Sequence, residues 1–297
     1  MTLLLTGASG FLGRNIIGRL SESYRVTTLA RSAGNDIAVD LAAAPPLLPE
    51  RYDVVVHAAG KAHEIPGKNE SVEFHRVNVE GTKNLCLALE KTGLPKSFVF
   101  ISTVSVYGED EGENITEEHS LDGTSAYARS KIEAEAFLTD WCARNGVSLA
   151  ILRPSLIVGP YATGNMAAMI KGIRRGIYAD IAGGKALRSL VGAADMAEVI
   201  LKATGKNGIY NVCERCHHSV AEIARHIADK TERRHLLSIP LWLARAAAVP
   251  GDILGQRWPL DSYRLSKLTE SLTFDSAKAC RELDWEPKDA LTDLTLE

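Results

Sequence analysis

A glycine-rich turn near the start of the chain constrains the fold more than any other feature. Residues 6–13 read TGASGFLG, directly after the apolar run Thr2–Leu5 and at the opening of the amphipathic run Phe11–Ser21. Glycines between a strand and a helix permit a tight turn and close approach of the backbone to a pyrophosphate. The helix N-terminus then offers unpaired N–H groups and partial positive charge. The sequence therefore predicts dinucleotide binding at the first strand–helix unit.

Short apolar strands alternate with longer amphipathic helices through the first half of the chain. The predicted strands are Thr2–Leu5, Arg25–Leu29, Asp53–His57, Ser97–Ser102 and Ser148–Leu152, and the predicted helices are Phe11–Ser21, Val72–Lys91 and Ala126–Arg144. Continuous apolar strands separated by helices indicate a parallel sheet that is covered on both faces. We expect an α/β fold with a Rossmann-type, doubly wound parallel sheet.

The pattern loosens after Pro154, where glycine-rich loops and shorter helices appear. A further strand at Gly208–Val212 is expected to rejoin the sheet. We predict a cofactor-binding Rossmann domain at 1–158, with its sheet completed by about 186–213. Residues 159–185 and 214–297 are predicted to form a smaller, mostly helical substrate-binding lobe.

Charge and composition exclude several classes of partner. The chain has 297 residues, with 34 Lys and Arg against 37 Asp and Glu, so no basic surplus is available for binding nucleic acid. No apolar run approaches the roughly 18 residues that span a bilayer, and the N-terminus lacks the basic region of a signal peptide. Five cysteines without framework spacing fit a reducing compartment. We expect a cytoplasmic protein without nucleic-acid or membrane partners.

The end of the second strand bears on the choice between the two nicotinamide dinucleotides. An acidic residue there binds the ribose 2′-hydroxyl of NAD, whereas an arginine accommodates the 2′-phosphate of NADP. Here Arg31 follows the strand, which favours NADP, and NAD stays open because an exposed arginine needs no ligand. Asp40 is a candidate acceptor for the adenine amino group.

Tyr127 and Lys131 lie four residues apart on one predicted helix and share a face. A free tyrosine titrates near pH 10, so the neighbouring ammonium and the positive nicotinamide ring are both expected to favour the phenolate. The predicted strand before Tyr107 ends in the hydroxyl residues Ser102, Thr103 and Ser105, and strand ends of this kind border the ligand crevice. These groups together predict a site for proton and hydride transfer.

The run Cys213-Glu-Arg-Cys216-His217 has the spacing of a haem attachment site, and His218 follows it. No second Cys/His pair lies nearby to complete four ligands, so we predict no metal. His57 is expected to pack in the core and His63 to face solvent. Trp258 is a candidate substrate contact.

Six motifs occur in one order: TGASGFLG, HAAG from His57, NVEGT from Asn78, STVSVYG from Ser102, YARSK from Tyr127, and Arg153-Pro154. In these the chain resembles the extended short-chain dehydrogenase/reductase family, in its NAD(P)-dependent epimerase/dehydratase branch. The resemblance implies that Thr103, rather than Ser102, is the catalytic hydroxyl, with Tyr127 as acid/base and Lys131 as its partner. The residues expected around the cofactor are Gly7, Ser9, Gly10, Phe11, Leu12, Arg31, Asp40, Leu41, Ala58, Ala59, Gly60, Asn78, Ser102, Tyr127, Lys131 and Pro154.

The resemblance also implies a nucleotide-diphosphate sugar as substrate, with Asn165 and Arg188 near its diphosphate. Dehydratases of this branch carry Asp-Glu after the active-site threonine, whereas Val104 and Ser105 stand there in this chain and are expected to contact substrate. A 4-epimerase or a 4-keto reductase therefore remains. A reductase of a non-nucleotide carbonyl metabolite and a non-catalytic NADP sensor stay open as alternatives. Relatives that pair through the helix at Val72–Lys91 and the helix of Tyr127 imply a homodimer.

Overall fold

The computed structural model describes residues 1–62, 70–232, 236–254 and 261–295. The strands of these residues, in chain order, are β1 (Thr2–Thr6), β2 (Arg25–Ala30), β3 (Ile37–Ala38), β4 (Val54–His57), β5 (Ser97–Ile101), β6 (Gly112–Ile115), β7 (Ser148–Pro154), β8 (Leu156–Val158), β9 (Ala179–Ile181), β10 (Leu187–Arg188), β11 (Leu190–Gly192), β12 (Gly208–Val212), β13 (His218–Ser219), β14 (Leu237–Ile239) and β15 (Leu272–Phe274). The α-helices are α1 (Phe11–Ser21), α2 (Glu70–His75), α3 (Gly81–Thr92), α4 (Ala126–Asn145), α5 (Gly164–Arg175), α6 (Ala193–Ala203), α7 (Val220–Lys230), α8 (Leu241–Leu254), α9 (Ser262–Thr269) and α10 (Ala277–Leu283).

Seven parallel strands form the central sheet in the order β12-β7-β5-β4-β1-β2-β3. The order reverses between β1 and β4, which creates a crevice at the carboxyl ends of these strands. The predicted doubly wound α/β sheet is confirmed. The strand predicted at Gly208–Val212 does rejoin the sheet, where it pairs with β7.

Helices cover both faces of the sheet, and the central strands β1, β4 and β5 are accordingly mostly apolar and buried. On one face α1 and α6 pack over a buried cluster that includes Leu3, Ile16 and Ile200. On the other face α3 and α4 contribute Leu85, Leu138 and neighbouring apolar side chains to a second buried cluster. The two layers hold the carboxyl ends of the strands at one rigid edge.

The helix predicted at Val72–Lys91 differs from the structure, because a π-helical turn at Arg76–Glu80 separates α2 from α3. The later part of the chain is mostly helical and also contributes short strands. Its strands β13, β10 and β15 form a four-stranded sheet with β6, and two further pairs are β11-β8 and β14-β9. Among the described residues, none of the helices combines the length and apolarity that crossing a bilayer requires.

Candidate active site

The glycine turn at residues 6–13 is built for close contact between backbones. Gly7 has a φ of +73°, and a Cβ there would lie 2.6 Å from the Ala59 amide nitrogen. A Cβ on Gly13 would overlap the carbonyl oxygen of Gly7, so α1 can press against the turn only without one. Gly10 is the N-cap of α1 and supplies no side-chain cap, which leaves the first N–H groups of the helix available for an anion.

The loop after β4 closes the other side of this turn. The Thr6 hydroxyl accepts a hydrogen bond from the Ala59 amide at 3.2 Å and lies 2.6 Å from His57 Nδ1. His57 Nε2 lies 2.8 Å from the Thr82 hydroxyl. Burial lowers the pKa of His57 to about 3, with a smaller contribution from Lys131, so the ring stays neutral. The prediction that His57 packs in the core is confirmed.

Residues at the far end of the crevice lie where a dinucleotide's adenosine half is expected. Arg31 is exposed directly after β2, and Leu41 is buried. Asp40 is fixed in orientation, because its Oδ1 accepts the Ala42 amide at 3.1 Å and its Oδ2 lies 3.7 Å from Arg76 Nη1. This end therefore combines an exposed cation with an oriented carboxylate.

Asn78 lies in the π-helical turn and ties two parts of the crevice together. Its Oδ1 accepts the Lys61 amide at 2.7 Å, and its Nδ2 donates to the Lys61 carbonyl at 3.1 Å and to the Ser130 hydroxyl at 2.8 Å. The amide group thus links the loop after β4 to α4. A π-helical turn is rare and often marks a functional site.

Tyr127 lies in the first turn of α4 because Ser125 starts the helix there. The Ser125 hydroxyl accepts the Ala128 amide at 3.1 Å, the usual role of an N-cap serine. The Thr103 side chain lies close enough to the Tyr127 phenol to lower its pKa against the larger, opposite effect of burial, and the ring of Phe74 packs against the tyrosine at 5.8 Å between centroids. Thr103 and Tyr127 therefore meet at the end of β5.

Lys131 follows one helical turn later and is 5% exposed. Its Nζ donates to the Ile101 carbonyl at 2.9 Å and lies 4.7 Å from the centre of the Phe100 ring. Burial lowers the pKa of Lys131 to about 8, against an opposing contribution from Glu135. The site therefore holds an ammonium whose charge changes close to neutral pH.

The expected effect of Lys131 on its neighbour requires a correction. The sequence argument had the ammonium favour the phenolate, yet burial raises the pKa of Tyr127 to about 12, only partly opposed by Thr103. The physical reason is the burial of the phenol, while Lys131 directs its Nζ to the Ile101 carbonyl. In the protein alone the phenol is harder to ionise than a free tyrosine.

A buried polar cluster behind the site was missed by the sequence analysis. Ser102, predicted to contact the cofactor, donates its hydroxyl to Glu135 instead. Glu135 pairs with Arg153, whose Nη2 lies 2.6 Å from Oε2 and whose Nε lies 3.1 Å from Oε1. The signal for Glu135 was its spacing, four residues after Lys131 and eight after Tyr127 on the same helix.

The two residues predicted to hold a substrate diphosphate differ in their surroundings. Asn165 is exposed in the first turn of α5. Arg188, in contrast, donates its Nη1 to the carbonyls of Leu187 and Glu270, each at 2.7 Å, and its Nη2 to the carbonyl of Lys267. Its guanidinium therefore caps the C-terminal end of α9.

The remaining predicted contacts lie on elements that border the crevice. Val104 and Ser105 are in a 3-10 turn after β5, where the Ser105 amide donates to the Thr103 hydroxyl at 3.2 Å. Pro154 ends β7 and is buried.

The Cys213 thiol is buried and directed to the Phe274 carbonyl at 3.1 Å, while Cys216 is exposed. His63 and Trp258 lie outside the described residues.

Known proteins resemble the chain over most of its length. The N-acetyl-α-D-glucosaminyl-diphospho-ditrans,octacis-undecaprenol 4-epimerase of Escherichia coli O157:H7 is 29% identical, over 93% of this chain and 88% of that protein. The GDP-6-deoxy-D-mannose reductase of Pseudomonas aeruginosa is 26% identical, over 76% of this chain and 79% of that protein. The structure of RMD from Pseudomonas aeruginosa complexed with NADPH has the same fold, with a TM-score of 0.76, 22% identity, and coverage of 99% of this chain and 98% of that one.

These similarities agree with the order of strands in the central sheet and with the turn that precedes α1. The model of the NAD dependent epimerase/dehydratase family matches residues 3–213, which is most of the chain. The chain therefore belongs to the NAD dependent epimerase/dehydratase family.

Proposed function

We propose that this chain is an NAD(P)-dependent enzyme that transfers hydride at one carbon of a sugar carried on a nucleotide diphosphate. The reaction is a 4-keto reduction or a 4-epimerisation, and the catalytic groups are Thr103, Tyr127 and Lys131. The observation that carries the proposal is the convergence of these three side chains where β5 meets the first turns of α4. Of the two relatives described above, one is named as a 4-epimerase and the other as a reductase, and both names describe a sugar carried on a diphosphate.

The crevice fits a nicotinamide dinucleotide. The close approach of Gly7 to Ala59 leaves the uncapped N-terminus of α1 open to a pyrophosphate. The adenosine half would lie against Arg31, Asp40 and Leu41, and the nicotinamide half against Lys131 and Pro154. Arg31 carries the preference for NADP, because an exposed guanidinium fork suits a 2′-phosphate.

The bound nicotinamide supplies the hydride or accepts it. Tyr127 gives a proton to the substrate oxygen or takes one from it, and the Thr103 hydroxyl orients both groups. Lys131 holds ribose hydroxyls with an ammonium that the Ile101 carbonyl aims. A phenol whose pKa is raised to about 12 stays protonated at neutral pH in the protein alone, so Tyr127 is in the form that donates a proton.

The diphosphate of the substrate is assigned to the side of the crevice that carries Asn165. Arg188 would enter this role through its Nε–H and one Nη2–H, because the carbonyls of Leu187, Lys267 and Glu270 take its other three N–H groups. A non-nucleotide carbonyl metabolite, the alternative substrate, requires no arginine at this position. The non-catalytic sensor is disfavoured because Thr103, Tyr127 and Lys131 are all in place.

The proposal includes the domain organisation, the oligomeric state and the cellular compartment that the sequence predicts. Residues 1–158 together with about 186–213 would hold the cofactor, and residues 159–185 and 214–297 the substrate. A homodimer would use α2, α3 and α4, and the exposed apolar side chains of Val72 and Leu87 lie on two of these helices. All five cysteines are unpaired, which supports work in the reducing cytoplasm.

The test is a screen of UDP-, dTDP- and GDP-sugars with NAD⁺ or NADP⁺, and of their 4-keto forms with NADPH or NADH, each beside a sample without added cofactor. A reductase consumes the absorbance of the reduced nicotinamide when a 4-keto sugar is present. An epimerase inverts C4, seen by proton NMR, without net consumption of cofactor. A sugar on a polyprenyl diphosphate is included because one relative is named for such a substrate.

Tyr127→Phe is the matched control, since it keeps the ring that packs on Phe74 and removes only the hydroxyl. Turnover that survives in this variant contradicts the proposed chemistry. Turnover of simple aldehydes or lactones, with every sugar diphosphate inert, favours the alternative carbonyl reductase. Tight NADPH binding without turnover of any substrate favours the sensor.

A further inference from the structure

A buried ion pair lies directly behind the proposed catalytic groups. Glu135 and Arg153 are 4% and 2% exposed, and two hydrogen bonds join them, at 2.6 and 3.1 Å. Arg153 Nη1 also donates to the Tyr107 hydroxyl at 3.1 Å, and that hydroxyl donates to Asn211 Oδ1 at 2.6 Å. The pair is therefore a continuous polar cluster inside an otherwise apolar core.

Stability alone is a weak reason for such a pair. Taking two charges out of water offsets most of their attraction, and well-packed apolar residues often replace a buried pair without loss. The location of the pair suggests another role. Glu135 lies one helical turn after Lys131 on the same face of α4. Ser102, which donates to Glu135, lies between Ile101 and Thr103.

We propose that Glu135 is a positioning residue of this site, which keeps the Lys131 ammonium charged and holds the end of β5 against α4. Arg153 orients the carboxylate from β7 through two hydrogen bonds. Ser102 connects the same carboxylate to the backbone that carries the Ile101 carbonyl, the acceptor of Lys131 Nζ. The inference rests on the proposed function, because it assigns a role in the same site.

Among the titratable groups around Lys131, Glu135 is the one that favours the protonated, charged form of the lysine. His57 on β4 is neutral, since burial holds its pKa at about 3. The Phe100 ring on β5 and the Asn78 amide are uncharged, and the phenol of Tyr127 is protonated. Burial lowers the pKa of Lys131, and Glu135 is the neighbour that raises it. Without the carboxylate the ammonium loses its proton at lower pH.

The experiment compares Glu135→Gln, the double variant Glu135→Gln/Arg153→Gln and Glu135→Asp with the wild type. The rate at which acetic anhydride acetylates Lys131 is measured by peptide mass spectrometry across pH in the protein without ligand. The wild-type inflection is expected near pH 8. Glu135→Gln moves it down by about one pH unit, and Glu135→Asp retains it. The double variant moves it in the same direction but less, because the positive charge of Arg153 is removed together with the carboxylate. The pH dependence of NADPH affinity, measured by fluorescence, shifts in the same direction.

The control is Glu133→Gln, which removes a carboxylate from the exposed side of the same helix, where it pairs with His75. Its inflection is expected to match the wild type. A folded Glu135→Gln or double variant with an unchanged inflection overturns the proposal. The double variant leaves no unpaired buried charge, so failure of both Gln variants to fold would assign Glu135 to folding alone and also overturn it.

Failure of the proposed function gives a different pattern. The acetylation profile needs neither cofactor nor substrate, so it reports on Glu135 even if no sugar is turned over. A wild-type protein that binds no nicotinamide dinucleotide contradicts the proposed function and leaves the acetylation profiles to decide the role of Glu135. Normal cofactor binding with unshifted profiles contradicts only the role of Glu135.

Discussion

Lys131→Met is expected to change how stability depends on pH as well as to stop turnover. Lys131 is 5% exposed, and its pKa falls from 10.5 to about 8 on folding. Each pKa unit corresponds to about 1.4 kcal/mol, so holding this ammonium in the core costs about 3 kcal/mol. Methionine has a similar length and no charge, and it removes this cost.

The sign follows from which state binds the proton more tightly. Between pH 8 and 10.5 the unfolded chain keeps the proton on Lys131 and the folded protein releases it. The stability of the wild type therefore rises with pH in this range, and the full cost is present below pH 8. In Lys131→Met the Ile101 carbonyl loses its donor, which costs about 1–3 kcal/mol at every pH.

Urea unfolding of both proteins at pH 7 and at pH 10 tests this reasoning. The free energy of unfolding of the wild type, minus that of the variant, is expected to increase by roughly 2–3 kcal/mol from pH 7 to pH 10. Lys206→Met, which removes an exposed ammonium, is the control and is expected to give the same difference at both values. A difference for Lys131→Met that does not change with pH would refute the argument that burial controls this group.

Three further substitutions test the remaining parts of the site. Tyr127→Phe should lower turnover by about 10²-fold or more, the contribution of one general acid, while NADPH affinity measured by fluorescence stays within a few-fold. Arg31→Asp should shift the ratio of NADPH to NADH affinity toward NADH, and an unchanged ratio would show that Arg31 does not contact the phosphate. Gly7→Ala should destabilise the protein by at least about 2 kcal/mol in urea, because its φ is +73° and its Cβ would lie 2.6 Å from the Ala59 nitrogen.

Elements with strong local signals could be predicted closely from the sequence. The bounds of α1 and β12 match the predictions residue for residue, because an apolar period of the right type is bounded by turn residues in both cases. The doubly wound parallel sheet followed from the alternation of strands and helices, since crossover connections restrict the topology. The convergence of Thr103 and Tyr127 followed from the edge at which parallel strands end.

Features that depend on distant contacts could not be predicted in this way. The π-helical turn at Arg76–Glu80 inserts one residue into a helix whose apolar pattern continues across it. Asn78 lies in that turn and gains partners on Lys61 and Ser130, which belong to other elements. The pKa of Tyr127 was predicted in the wrong direction because spacing gives proximity to Lys131 but not the burial of the phenol.

The hydrogen-bond partners of Arg188 also could not be predicted from the sequence, and they affect how the site can bind substrate. Its position on β10 was inferred from the family pattern, but the groups it bonds are carbonyls on Lys267 and Glu270, about 80 residues further along the chain. Those carbonyls form the negative end of α9, which attracts a guanidinium as a diphosphate does. A substrate diphosphate at Arg188 would therefore share one cation with the end of α9. The guanidinium has five N–H groups, and the carbonyls of Leu187, Lys267 and Glu270 take three of them, so the diphosphate would meet the Nε–H and one Nη2–H.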